Sequence, residues 1–234
     1  MLTTVAFVPT TPLLVPELAG DARSETAPLR AAVSAAVAEL GDRWSALGTD
    51  ACDGWCGPES AGSFLGFGAD VGVRLAPGTG DAPDPALPLA ALVAGWLRGA
   101  CAPQTSVRTE LVARDASADR CTQLAGTLRA RWAGDPVPSG LLVLGDGCTT
   151  LTPAAPGSFD ARAPRLQDDL DTALGAADIA ALAGLDPALC TELGVGARVA
   201  WQVAAAAVGA GWHGRLLHRS APYGVGYTVA VWRR

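Results

Sequence analysis

The sequence of 234 residues contains no lysine, no asparagine and only two histidines. Arginine therefore supplies all of the strong basic charge, and the formal net charge is −6. A nucleic-acid-binding surface needs clustered cations to neutralise phosphates, so this charge balance argues against nucleic acid as a partner. No apolar run approaches the roughly 20 residues that a membrane-spanning helix needs. We therefore expect neither nucleic acid nor membrane as a partner.

Cysteine is also sparse, with six residues scattered along the chain rather than spaced as a disulfide framework. Half of the residues are hydrophobic, which is enough for a substantial core and favours reduced thiols. The apolar N-terminal stretch lacks the basic segment that begins a secretory signal. We predict a cytoplasmic protein that forms one domain over residues 1–234, since no linker or repeat divides the chain.

Apolar runs alternate with alanine-rich segments of helical spacing, which predicts an α/β fold: a single domain with a central, mostly parallel or mixed sheet flanked by helices. Leu2–Val8 is predicted as the first strand, and the unbroken apolar run Leu141–Leu144 as a central strand covered on both faces. Helices are predicted over Leu87–Cys101 and, as one continuous element capped by Asp186, over Asp186–Gly209.

Shorter segments are predicted from the same alternation. Phe64–Phe67 and Val71–Leu75 are predicted as short strands, and Asp81–Pro85 as a loop. Two final strands are predicted over Leu216–Arg219 and Val225–Trp232.

Two loops are the best candidates for a functional site, because ligands of open α/β sheets bind beyond the carboxyl ends of the strands. Pro9–Leu14 follows the first strand, and Gly145–Thr150 follows the central strand. Asp146 lies between two glycines, so a tight turn leaves its carboxylate at the sheet edge. That carboxylate is predicted either to cap its own turn or to contact a ligand. Neither loop contains histidine.

These loops resemble those of a known family. Pro9-Thr10-Thr11-Pro12-Leu13-Leu14 is similar to the Pro-His-x-Pro and apolar pair that follow the first strand in the catalytic subunits of class III extradiol ring-cleavage dioxygenases and in Memo-like proteins. Gly145-Asp146-Gly147-Cys148-Thr149 resembles that family's Gly-Asp-x-Ser-His turn. The closing Ala221–Tyr227 resembles the end of the actinobacterial members. The similarity extends over nearly the whole chain and implies the extradiol dioxygenase-like scaffold.

The resemblance also implies which chemistry has been lost. Active family members hold Fe(II) with two histidines and a carboxylate, and a further histidine acts as acid and base. Here Thr10 occupies the place of the first ligand histidine, and Thr149 that of the acid/base histidine. Glu192 is the one candidate remnant of the carboxylate ligand. The resemblance therefore implies a degenerate metal site, and no cofactor is expected.

Three hypotheses about function remain open. In the first, the chain has no iron-dependent ring cleavage and binds a small molecule or a partner protein. In the second, it is an enzyme with changed chemistry, a hydrolase or lyase using Asp146, Cys148 and Glu192, with another metal as an option. In the third, it is a structural subunit of a homo-oligomer. Zinc is the alternative metal, because Cys56, Cys148 and Cys190 with Glu192 nearby would offer soft ligands.

Other chemistry-bearing residues are interpreted structurally. The acidic run Asp168, Asp169 and Asp171 is predicted to face solvent early in a helix. The two histidines, His213 and His218, are predicted at the ends of a late strand, outside the candidate loops. The tryptophans, including Trp55, Trp201, Trp212 and Trp232, are predicted to pack in the core or at its edge.

Overall fold

Seven strands form one mixed sheet in a computed structural model that describes residues 1–78 and 82–234. The strands, including a separate two-stranded sheet made by β4 and β5, are β1 (Leu2–Val8), β2 (Trp44–Asp50), β3 (Gly54–Cys56), β4 (Ala61–Ser63), β5 (Gly72–Arg74), β6 (Thr109–Ala113), β7 (Ser139–Leu144), β8 (His213–Ser220) and β9 (Tyr227–Arg233). The predicted α/β class with a mixed central sheet is confirmed.

The order of strands in the large sheet is β3-β6-β2-β7-β1-β9-β8. The four central strands β6, β2, β7 and β1 are parallel, whereas β3 pairs antiparallel with β6 at one edge. At the other edge, β9 is antiparallel to β1, and β8 is antiparallel to β9. The carboxyl ends of β1 and β7 therefore lie side by side in the middle of the sheet.

Helices cover both faces of the sheet. They are α1 (Ala27–Ala38), α2 (Leu89–Cys101), α3 (Ala118–Ala133), α4 (Ala163–Ala176), α5 (Ile179–Ala183), α6 (Pro187–Glu192) and α7 (Arg198–Val208). Along β7, Leu141 and Val143 pack into the core beneath α3, α4 and α7, while Leu142 and Leu144 pack into the core beneath α1 and α2. Burial on both faces explains why this strand is continuously apolar.

The segment Asp186–Gly209 differs from the prediction, because it forms two helices rather than one. Asp186 does cap the first of them, accepting hydrogen bonds from the backbone N–H groups of Ala188 and Leu189. The chain then leaves α6 through Gly194, whose φ of 72° is left-handed, before α7 begins. A left-handed residue cannot continue a right-handed helix, and glycine adopts it without steric cost.

Three other segments were predicted wrongly, were not predicted, or lie partly outside the described residues. Phe64–Phe67 forms a turn of 3-10 helix rather than a strand, because the Ser63 hydroxyl caps it by accepting from Leu65 N–H. Strand β2 was not predicted, since its polar residues interrupt the apolar pattern. The predicted loop Asp81–Pro85 lies partly outside the described residues, which omit Asp81. No helix in the described part of the chain is long and apolar enough to cross a membrane.

Candidate functional site

The two candidate loops meet at the carboxyl ends of β1 and β7. The backbone N–H of Gly145 donates to the carbonyl of Val8 at 2.9 Å, which continues the ladder past the last paired residues. The backbone N–H of Thr10 then donates to Oδ1 of Asp146 at 2.9 Å. Asp146 therefore joins the two loops, and the expectation that it caps its own turn is wrong. Thr10 contributes its backbone to this bond, not its hydroxyl.

The Asp146 carboxyl is only partly exposed, and its two oxygens differ. Oδ1 accepts the Thr10 N–H, whereas Oδ2 accepts no hydrogen bond within the described residues. Oδ2 is not one of the fully buried polar atoms without a partner, so it keeps some access to solvent. Loss of water around the carboxyl raises the pKa of Asp146 to about 7, against the opposing effect of the Thr10 N–H. At neutral pH this group can either accept or donate a proton.

Tyr227 completes the group of polar side chains at this edge. Its buried hydroxyl lies 3.5 Å from Oγ1 of Thr11, and either atom can be the donor. Burial raises the pKa of Tyr227, and the nearby charge of Asp146 adds to that rise. Sequence reasoning gave Tyr227 no role, because β9 enters the sheet beside β1 only through a pairing distant in sequence. The only indication in the sequence that Tyr227 belongs to the site was its place in the closing Ala221–Tyr227 segment.

A buried hydrogen-bond network fixes the loop behind Asp146. Gly147 N–H donates to the carbonyl of Gly226, and Gly226 N–H donates to the carbonyl of Cys148, both at 2.8 Å. Oε1 of Gln167 accepts from Cys148 N–H at 2.9 Å. A Cβ at Gly147 or Gly226 would lie 2.1 or 2.0 Å from that same oxygen. The glycines are therefore needed for Gln167 to reach the backbone, a role that the sequence did not reveal.

The acidic run on α4 contributes to this network through one member. Asp171 is buried, and its Oδ1 accepts from Nε2 of Gln167 at 2.9 Å and from the hydroxyl of Thr228. Burial raises the pKa of Asp171, and both hydrogen bonds oppose the rise. Asp168 and Asp169 are exposed as predicted. The prediction that all three face solvent is thus wrong for Asp171, whose helical position points into the core.

The cysteines do not form the predicted cluster. Cys148 and Cys190 are both buried in the core on the side of α3, α4 and α7. Burial raises the pKa of the Cys148 thiol to about 12 and that of Cys190 to about 11. Cys56 packs against the core on the opposite face of the sheet. Cys148 is therefore a neutral thiol near neutral pH, which makes it a poor nucleophile, and Cys56 lies across the sheet from Cys148 and Cys190.

Glu192 and Thr149 lie close in the fold but do not join Asp146. The Glu192 side chain is exposed and accepts from Nη1 of Arg162 at 2.7 Å, and Arg162 also binds Asp160. The backbone N–H of Thr149 donates to the carbonyl of Leu193 at 3.0 Å. No hydrogen bond between described residues links Glu192, Cys148 and Asp146. The predicted three-residue combination is not assembled, because Glu192 points outward at the end of α6.

The residues present do not fit the iron site that the resemblance implies. Thr10 and Thr149 offer neutral hydroxyls, which are poor ligands for Fe(II). His213 and His218 lie on β8, separated from β1 by β9, and His218 is 2.9 Å from the Ser220 hydroxyl. Among the described residues, no group of three or more histidine, cysteine, aspartate or glutamate side chains is placed to hold a metal ion. The donor set lacks the two-histidine, one-carboxylate combination.

One solved structure with this architecture is the uncharacterized protein JW3007 from Escherichia coli K12. The two chains are 10% identical, the TM-score is 0.55, and the alignment covers 99% of this chain and 100% of that chain. At such low identity the likeness concerns the fold alone. No protein-family model matches the sequence, and no curated protein matches it.

Proposed function

We propose that this chain binds a small polar molecule at the carboxyl edge of its sheet and does not cleave rings with iron. The observation that carries the proposal is the Asp146 carboxyl, with one oxygen fixed by Thr10 and the other open. The resemblance of the two loops to class III extradiol dioxygenases supports the same location, since the family's reacting site lies in these loops. The substitution of histidine by Thr10 and Thr149 supports binding without iron.

The chemistry of the edge favours a ligand that carries hydroxyl or amine groups. The open Oδ2 of Asp146 accepts hydrogen bonds, and its ionised form attracts a cation. The hydroxyls of Thr11 and Tyr227 can each donate or accept. An apolar ligand would leave Oδ2 of Asp146 unpaired, which disfavours its binding.

A fragment screen with the purified chain tests the proposal. Ligand-observed NMR with a library of small amines and polyols is expected to give hits that Asp146→Asn loses, because the amide cannot provide the negative charge. Asp169→Asn is the matched control, since Asp169 is an exposed carboxylate away from the loops. Hits that survive Asp146→Asn, or that Asp169→Asn loses equally, would place binding elsewhere.

Proton-transfer catalysis is the second candidate, and the pKa of about 7 at Asp146 favours it. A group with this pKa is present in both protonation states near neutrality, as a general acid or base needs. This form of the enzyme hypothesis uses Asp146 without Cys148 or Glu192. Hits that contain a carbonyl are incubated in D₂O, and exchange of their neighbouring C–H is followed by NMR. Deuterium exchange that is seen with wild type and lost in Asp146→Asn indicates catalysis. Ligands that bind but show no exchange of this C–H indicate binding alone.

A further inference from the structure

A polar cavity lies at the end of the sheet opposite Asp146, where the parallel strands begin. Its volume is about 450 Å³. It is lined by the first residues of β2 and β7, the segment before β6 and the end of α3. Among the lining residues are Trp44, Ser45 and the arginines Arg43, Arg108 and Arg131. A cavity of this size matches a small ligand.

Buried polar atoms without partners are concentrated at this end of the sheet. Nε1 of Trp44 and Oγ of Ser45 are fully buried and form no hydrogen bond within the described residues. Oγ1 of Thr109, on the neighbouring strand β6, is in the same state. Trp44 is only 3% exposed, so water does not reach its indole freely. Native proteins rarely leave such groups unpaired. Because these atoms are fully buried, a molecule in the cavity does not touch them directly, and they mark an end of the sheet where polar groups lack protein partners.

Two arginines beside this cavity, Arg108 and Arg131, share a single carboxylate. Nε of Arg108 and Nη1 of Arg131 both donate to the same oxygen, Oε1 of Glu110, at 2.5 and 2.6 Å. One carboxylate thus balances two guanidinium groups, which keep N–H donors to spare. Arg108 is held in place from outside by the exposed ring of Trp55, whose centroid lies 3.8 Å from its guanidinium carbon. Trp55 is exposed and stacks on an arginine, so the prediction that it packs in the core or at its edge is wrong.

The remaining charged groups that line this cavity are Asp42, Arg43, Asp135 and the N-terminal ammonium of Met1, which donates to the carbonyls of Asp135 and Val137. Arg43 is engaged by Asp135, whose Oδ2 lies 2.6 Å from Nη2 of Arg43. Asp42 is exposed, so water screens its carboxylate. The group formed by Arg108, Arg131 and Glu110 therefore places one excess positive charge beside this cavity.

We propose that this cavity binds a small molecule that carries a carboxylate or phosphate group. Guanidinium groups recognise both oxyanions through paired N–H donors. The guanidinium N–H groups of Arg108 and Arg131 that Glu110 does not use are donors only, and they match an acceptor-rich anion. This site is independent of Asp146, which lies at the other end of β7.

The test follows the Trp44 indole directly. The ¹⁵N-labelled chain is titrated with sodium phosphate and, separately, with sodium succinate, at constant ionic strength set with sodium chloride. Trp44→Phe identifies the Trp44 indole resonance among those of the seven tryptophans. A saturable shift of that resonance with either anion in the millimolar range supports the site. The anion that binds more tightly shows whether the cavity prefers a phosphate or a carboxylate group. No saturable shift with either anion overturns it.

Matched variants separate binding in the cavity from general attraction of anions. Arg131→Gln is expected to weaken binding roughly tenfold, the effect of losing one charge-assisted hydrogen bond. Arg129→Gln, an exposed arginine of the same helix that does not line this cavity, is expected to change it by less than about twofold. Arg108→Gln is expected to weaken binding to a similar extent, which keeps the test decisive if Arg131→Gln fails to fold. Equal losses in Arg129→Gln and Arg131→Gln, or undiminished binding in Arg108→Gln, would contradict the proposal.

Discussion

The proton affinity of Asp146 decides which ligands the carboxyl edge accepts. Its folded-state pKa of about 7 exceeds the ordinary value of 3.8, so the folded chain keeps a proton that the unfolded chain releases in between. The unfolded state therefore binds fewer protons in this window, and the free energy of unfolding falls as pH rises from about 4 to about 7. Above that window both states are ionised, and the loss stays constant.

Asp146→Asn is expected to remove this loss of folding stability at neutral pH, because the amide does not ionise. Its free energy of unfolding at neutral pH should rise by about 1–2 kcal/mol, less than the full shift in pKa implies because the carboxyl is partly open to water. Near pH 4 wild type and variant should agree. Urea unfolding at several pH values between these limits measures the difference, with Asp169→Asn as the exposed control. Parallel pH profiles for wild type and Asp146→Asn would show that the carboxyl is solvated and ordinary.

The sequence allowed part of this site to be predicted at the level of single residues. Thr10 and Asp146 were expected at one edge because the carboxyl ends of neighbouring parallel strands meet there. Their direct hydrogen bond was not predicted, since it depends on which way a loop carboxylate turns. The outward direction of Glu192 and the burial of Cys148 were missed for the same reason. Spacing in a loop defines position along the chain but not side-chain direction.

At the scale of elements, the break between α6 and α7 shapes the second loop. The alanine-rich composition of Asp186–Gly209 predicted one helix, because helical propensity does not report a single left-handed residue. Gly194 brings the chain back against the loop that follows β7, where a Cβ would lie 1.8 Å from Oγ1 of Thr149. The break therefore positions the backbone of Leu193 to accept from Thr149.

Gly194→Ala is expected to destabilise the chain by about 2–4 kcal/mol, from the left-handed φ together with the clash at Thr149. Gly196→Ala is the matched control two residues away, because a Cβ there meets no atom within 4 Å and its φ is not left-handed. That variant should remain within about 0.5 kcal/mol of wild type. Chemical denaturation measures both. Equal stability of the two variants would mean that Thr149 and the loop move aside freely.

Strands differ in how well their sequences reveal them. Strands β1 and β7 each contain an unbroken apolar run, Val5–Val8 and Leu141–Leu144, because both faces of these runs are buried, so the positions of the two strands were predicted. Strand β2 lies between β7 and β6 yet contains serine, glycine and threonine, and its burial comes from neighbours that are distant in sequence. A local pattern cannot report a neighbour that the fold brings in later. The same holds for Tyr227, which β9 carries to the site.

At the scale of the whole molecule, the alternation of strands and helices was sufficient to predict the α/β class. The fold places two polar regions at opposite ends of the same sheet, one at Asp146 and one at Trp44 and Ser45. Neither region uses histidine, and the donors at the Asp146 edge do not match an iron site. The scaffold is therefore proposed to bind polar molecules where the family that its loops resemble binds iron.

Iron binding is the measurement that tests the proposed loss of ring cleavage most directly. The purified chain is incubated anaerobically with excess Fe(II), freed of unbound metal and analysed for bound iron, and the same sample is then exposed to catechol and oxygen. We predict substoichiometric iron and no ring-cleavage product, because Thr10, Thr149 and the outward Glu192 do not form a ligand set. One tightly bound iron per chain together with ring cleavage would contradict this prediction.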